Sequence, residues 1–562
     1  MHYVKKSLSC ALLIIIMVIG FALAGTIQVS AEAPGVITII SSDTTWTKAD
    51  SPHNLTGPLL VSNGVTLTIE AGVTVNLEGY ELRVDGILRV IGNVKDQIRF
   101  NDGLIALTEF STGWNEQTGT GCIIENAFFD NVEVNSNVAL SIINSTINRQ
   151  VSVVGQSLVW GNELGWTSIT GSSIPITKNV IGTLKVYDCS LEIHENTIHF
   201  LDIEGSSFEI FNNTINGRIE GSVDSVVISD NTLGGVGFYE QDISGTQIRH
   251  LHANSATITG NIIARGICLS GESSTITNNN ITGYTDSYEY RFLWGYETEY
   301  YQTPGIILSG DGYVSGNRVV DCSVGVEGGT TIEGNLLLNN ENGIRAKAKD
   351  VIIRNNTITA GGAYTGISGS SGDGTVTIEN NVIGNGFYIG ILTHSQAVIR
   401  SNTISHNEFG IFCGSKGSAI IELNRIDNND VGIHVLSQAS ITNNTIANSG
   451  TAVLLENVSS VNINFNNIED SRQHSIYLEE TTGNVDATNN WWGTADPQAI
   501  NLTIHDYKYD FDLGRVDFVP FLTEPNPEEM STPIPEFPSW LLVPLFLMAT
   551  FAVVVVRKRL VG

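Results

Sequence analysis

Along most of the chain, apolar residues fall in short alternating runs that are broken every few positions by asparagine, aspartate or glycine. Runs such as Val351-Ile352-Ile353-Arg354 and Ala439-Ser440-Ile441-Thr442 carry an apolar side chain at every second position, the period of a half-buried strand. From about Asn196 onward one phrase returns: an asparagine, a variable residue, then Ile, Val or Leu, followed at varying distance by Gly-Ile or an equivalent. It reads Asn356-Thr357-Ile358 with Gly366-Ile367, Asn381-Val382-Ile383 with Gly390-Ile391, Asn402-Thr403-Ile404 with Gly410-Ile411, Asn424-Arg425-Ile426 with Gly432-Ile433, and Asn444-Thr445-Ile446. These asparagines are 25, 21, 22 and 20 residues apart. Asn213, Asn231, Asn261, Asn317 and Asn335 precede the run, and Asn466 and Asn490 continue it.

A period of this size is too short for two packed helices with their turns, and the fixed leucines of a leucine-rich horseshoe are missing. The pattern predicts an all-β solenoid in which each coil buries its apolar positions against its neighbours. The asparagine is expected at a tight corner, itself tolerating a left-handed backbone and bonding to the asparagine stacked on the next coil. The Ile after it points inward, and the glycine before the second Ile is expected to supply another special backbone conformation. Between Ser111 and Ser190 the alternation persists but the asparagine phrase reads as irregular.

These coils resemble the parallel β-helix repeats of the pectin-lyase-like superfamily, including its NosD-like and carbohydrate-binding-and-hydrolysis branches. The segment Val61-Ser62-Asn63-Gly64-Val65-Thr66-Leu67-Thr68-Ile69-Glu70-Ala71-Gly72-Val73-Thr74-Val75 resembles the opening coil of exported β-helix proteins, and Asn489-Asn490-Trp491-Trp492-Gly493 resembles the last coils of that group. The resemblance implies a single-stranded right-handed parallel β-helix over residues 32–524. Roughly 20 coils at about 4.8 Å each would make a rod on the order of 100 Å long. Trp491 and Trp492 are expected to cap the open end of the apolar stack, with a sugar platform as the other reading.

The two ends change the picture from a free solenoid to a tethered one. Lys5 and Lys6 precede an apolar run from Ala11 to Ala24 and a small-residue exit at Val29-Ser30-Ala31, the three parts of a signal peptide at residues 1–31. Residues 525–539 are rich in proline and acid and read as an extended stalk. Trp540 to Val556 gives 17 uncharged residues followed by Arg557-Lys558-Arg559, read as a transmembrane helix with a cytoplasmic basic tail at 557–562. Pro535-Glu536-Phe537-Pro538, the apolar run and the basic end together resemble the sorting tails of archaeal surface proteins. The expected location is the cell surface, anchored through the membrane, with the β-helix outside.

Formal net charge is −30, and five of the 28 basic residues lie in the terminal segments. Such a body repels phosphate backbones, which excludes a nucleic-acid partner and suits divalent cations and salt. Without Cys10, the cysteines are Cys122, Cys189, Cys268, Cys322 and Cys413, an odd number with at least 54 residues between neighbours. No disulfide framework or zinc pattern follows, and inward-facing thiols are expected.

The acid clusters and metal sets of superfamily enzymes are not evident, so catalytic and metal-ligating residues stay unassigned. Arg345 and Lys347 echo a substrate-binding Arg-x-Lys without its acidic partners, while Asp311, Asp373 and Asp427-Asn428-Asn429-Asp430 read as turn chemistry. His394, His406 and His434 fall in consecutive coils at different offsets from their asparagines, so they are not expected to stack into a copper site. The segment Tyr284 to Gly305 breaks the repeat and is dense in aromatic residues and acids, with Tyr288, Tyr290, Trp294 and Tyr296 as candidate sugar-stacking residues. Asn54, Asn144, Asn457 and Asn501 head glycosylation sequons.

The reading favoured at this level is a noncatalytic surface protein that binds a polysaccharide or an envelope component. It requires no cofactor, and calcium is compatible with it. An extracellular polysaccharide lyase or glycoside hydrolase, and a NosD-like metal-handling protein, are the alternatives.

Overall fold

A computed structural model describes residues 36–527 apart from Gly237, 243–244, His250, Tyr284, 293–294, 360–363 and 370–373. The segments read from the sequence as a signal peptide, a transmembrane run, a basic tail and most of a stalk therefore lie outside the described residues. No described helix is long and apolar enough to cross a membrane.

The chain folds as two compact units, one running to Leu140 with Thr146–Arg149 and the other formed by Ser141–Ser145 with the chain from Gln150 onward. Both are parallel β-solenoids, with about 19 turns between them. In the first, Thr38–Ile40 pairs in parallel with Leu59–Val61, and that strand with Glu81–Val84. Thr44–Trp46, Thr66–Glu70 and Ile87–Ile91 form a second row in the same way. Alternation sends Leu67, Ile69, Leu88 and Val90 into the interior with no exposure, and Phe100 stacks on Phe129 at 4.8 Å.

In the second unit the asparagines form one unbroken ladder. It runs through Asn162, Asn179, Asn196, Asn213, Asn231, Asn261, Asn279, Asn317, Asn335, Asn356, Asn381, Asn402, Asn424, Asn444, Asn466 and Asn490, all buried. At Asn402, Oδ1 accepts from the backbone N–H and the Nδ2 of Asn381. Its own Nδ2 donates to the carbonyls of Ile378 and Arg400 and to Oδ1 of Asn424. Every buried polar atom of the side chain is thus used, which removes the cost of taking an amide out of water.

The ladder begins at Asn162, earlier than the repeat suggests. Asn162, Asn179, Asn196 and Asn213 are only 17 residues apart, and the coils from Asn179 to Asn213 are made of long strands, Val180–His194 and Thr197–Phe211. The stretch that reads as irregular is a tighter coil that lacks the Gly-Ile half of the phrase.

Two roles differ from expectation. The left-handed corner is held by the residue before each ladder asparagine, such as Lys178, Glu195, Asn355, Ser401, Leu423 and Phe465, at φ between 56 and 61°. The asparagine itself is selected for its amide. Glycines 343, 366, 390, 410 and 432 have no left-handed φ and are selected for space. A Cβ on Gly390 would lie 2.6 Å from the carbonyl oxygen of Gly410 and 3.0 Å from a methyl of Ile404.

All five described cysteines are buried and free. Burial pushes the thiols of Cys268, Cys322 and Cys413 up to about 12 and that of Cys122 to about 11. At the C-terminal end Trp492 is buried against Phe518, a short helix at Pro497–Leu502 buries Ile500, and Trp491 donates from Nε1 to Glu469. Asn526 is packed onto the last coils as well, bonding Asn467, Asn443 and the carbonyl of Phe465. The packed chain therefore runs two residues past the boundary expected at 524.

Candidate binding face

Five strands and a short sixth, Ile389–Thr393, Phe409–Cys413, Val431–Val435, Thr451–Glu456, His474–Glu479 and Ile504–His505, stack in parallel register. Ile391, Ile411, Ile433, Val453, Ile476 and Ile504 align on their inner side with no exposure. The next residue of each strand must point outward. The outward column so defined is Leu392, Phe412, His434, Leu454, Tyr477 and His505, with register partners spaced about 4.8 Å apart. A parallel column of Ile389, Phe409, Val431, Thr451 and His474 runs beside it.

The rings of this face make two groups. Tyr477 stacks on His505 at 4.3 Å and 11°, and His505 on Tyr509 at 4.9 Å and 24°. His505 lies between the two tyrosines and spends both of its faces on them. In the other group, Phe412 stands at 86° to Phe409 and 74° to His434, and Tyr388 stands at 77° to Phe409. Tyr388 is half exposed, at 51%. Crossed rings form a corner whose walls face different directions, which a stacked pile cannot do.

His434 lies inside that corner with only 9% of its side chain exposed, and its Nε2 is 2.9 Å from Glu456 Oε2. The carboxylate fixes the proton on Nε2, so Nδ1 is a buried acceptor, and it has no partner among the described residues. Burial holds the imidazole below its ordinary pKa despite the opposing pull of Glu456 and Glu479. Glu479 pairs in register with Glu456 on the next coil. His474 is likewise held low by burial and by His505.

The residues expected to stack sugars lie elsewhere. Thr285–Phe292 and Gly295–Gln302 form an antiparallel hairpin, a two-stranded sheet of its own, in which Tyr288 pairs with Glu299, Tyr290 with Glu297 and Tyr296 with Arg291. Trp294 lies outside the described residues. The hairpin is an insertion in a coil that still closes, because Asn279 bonds Asn317 across 38 residues. A second hairpin, Phe238–Asp242 with Gly245–Arg249, fills the 30-residue interval between Asn231 and Asn261.

Other candidates resolve into local structure. Arg345 and Lys347 both pair with Glu327. Asp427 accepts from the amides of Asn428 and Asn448, and Asp430 pairs with Arg472. Asp311 sits in the strand Ile306–Ser315 beside Gly310, whose φ is 133°, and Asp373 lies outside the described residues. The histidines are dispersed, with His394 against Gly414, His406 at a left-handed corner and His434 on the face. Among the described residues no three His, Cys, Asp or Glu side chains are placed to hold a metal ion. Asn54, Asn144 and Asn457 are exposed, while Asn501 is half-buried and accepts from Lys508.

The face was readable in principle, since each outward residue follows the Ile, or at one coil the Val, of the second half of the phrase. Phe412, His434 and Tyr477 occupy equivalent positions after Ile411, Ile433 and Ile476, and only the strand register turns that position into a column.

Residues 304–444 match a family model described as a right-handed β-helix region. No curated protein and no solved structure matches the chain.

Proposed function

We propose that the protein is a binding protein for carbohydrate or another envelope polymer, engaged along the Tyr388–Tyr509 face and not cleaved. The observation that carries this reading is the continuous outward column of apolar and aromatic side chains on six successive coils, long enough to follow an extended chain. Aromatic walls with polar groups at their rim are what sugar rings require. The terminal segments support placing this binding at the cell surface, with export by residues 1–31 and anchoring by 540–556.

The test is a screen of residues 32–527 against neutral, acidic and basic polysaccharides for retention and for cleavage, with and without calcium. Retention without new chain ends is expected, lost on Phe412→Ala and kept on Tyr290→Ala with Trp294→Ala. Cleavage would transfer the protein to the lyase or hydrolase reading, for which His434, Glu456 and Glu479 supply a base and two acids on one face. Retention by no glycan would refute the proposal.

A further inference from the structure

We infer that the polymer held by this face carries free ammonium groups: it is an amino-sugar glycan, selected by the Tyr388, Phe409 and Phe412 corner together with the carboxylate of Glu456. This rests on the binding reading above and names its ligand class.

Three features converge on a cation. Glu456 and Glu479 stand in register at one end of the strands, and Glu408 and Asp430 are exposed at the other. Of the basic residues on the same turns, Arg400, Arg425, Arg472 and Lys508 are turned onto Glu379, Asp427, Asp430 and Asp506, and Lys416 stands on the turn after Cys413. The negative charge is thus left in excess.

His434 does not remove that excess. Desolvated between Phe409 and Phe412, it favours its neutral form and gives Glu456 a hydrogen bond without a positive charge. Glu456 thus lies against an imidazole packed on Phe409 and Phe412, and a carboxylate with aromatic rings is the pairing that recognises ammonium through ion pairing and the negative faces of the rings.

The third feature lies beyond the face: the net charge of −30 favours approach of a polycation and opposes a polyuronate or a sulfated chain.

The experiment uses one glucosamine polymer in two forms, with free amines and fully N-acetylated, and adds polygalacturonate and polylysine. Binding to the protein is measured at mildly acidic pH and low salt. The free-amine polymer is expected to bind on the order of tenfold more tightly than its acetylated form, with Glu456→Gln and Phe412→Ala each erasing that preference. Glu422→Gln, in the strand Ser418–Glu422 that pairs with Gln396–Arg400 and Gln438–Thr442 and not with the strands of the face, is expected to leave it intact.

Equal binding of the acetylated polymer would overturn the inference while leaving the glycan-binding reading in place, as would preference for polygalacturonate. Polylysine binding as tight as the free-amine polymer and indifferent to Phe412→Ala would also overturn it, because bulk charge would then suffice. Binding of no polymer would sink both readings.

Discussion

At the scale of single residues, the repeat separates two requirements that its sequence presents as one. Ladder asparagines are needed for three hydrogen-bonding groups at once, so Asn402→Ala strips partners from the buried N–H of Asn381 and the carbonyl of Ile378. The expected loss is about 3 kcal/mol in urea unfolding, and Asn402→Asp should cost more, because a carboxylate oxygen would face those carbonyls. The corner before it needs only a left-handed φ, which Leu423 and Phe465 supply at a penalty. Leu423→Gly is therefore expected to stabilise by about 1 kcal/mol, a rise in the unfolding midpoint where a large-to-small change usually gives a fall. The asparagine at each corner was legible in the sequence because the amide is irreplaceable. The left-handed residue was not, because Lys, Glu, Ser, Leu and Phe all serve there and leave no pattern.

At the scale of the coil, closure depends on the ladder and tolerates what is inserted between its steps. Asn279 and Asn317 bond across the aromatic hairpin as Asn261 and Asn279 bond across an ordinary 18 residues. Joining Gly283 to Gln302 through a short Gly-Ser link should therefore shift the thermal midpoint by no more than a few degrees, measured by circular dichroism; a loss of cooperative unfolding would show that the hairpin is part of the coil. The inward glycines behave in the opposite way. Gly390→Val forces a side chain against the carbonyl of Gly410 and a methyl of Ile404, with an expected cost of about 1–3 kcal/mol in the same unfolding assay. Strand alternation made the coils legible over most of the chain, Ser111 to Ser190 included, but there the asparagine phrase reads as irregular because the 17-residue coils at Asn162 and Asn179 drop its glycine half. The candidate face was invisible for a different reason: Phe412, His434 and Tyr477 are 22 and 43 residues apart in the chain and become neighbours on a column only through register.

For the whole molecule, histidines that are buried or half-buried tie stability to pH. Burial lowers the folded pKa of His53, His434 and His474, so the unfolded chain binds protons first as pH falls through the ordinary imidazole range. Stability from these groups is complete above their unfolded values and declines as pH drops toward their lower folded ones. Glu333, held low by Tyr313 and Arg354, acts further down: its contribution is lost below the ordinary carboxylate range. The urea midpoint should fall between neutral and mildly acidic pH, and His434→Gln should flatten part of that slope.

His434 and Glu456 meet on the candidate face, which makes occupancy of that face the decisive question. The most direct measurement is a titration of the polymer retained in the screen against the wild-type protein, the Phe412→Ala/Tyr388→Ala variant and the Tyr290→Ala/Trp294→Ala variant. The face variant is expected to lose at least about tenfold in affinity and the hairpin variant to bind as the wild type does. Unchanged affinity in the face variant, with the loss in the hairpin variant, would contradict it.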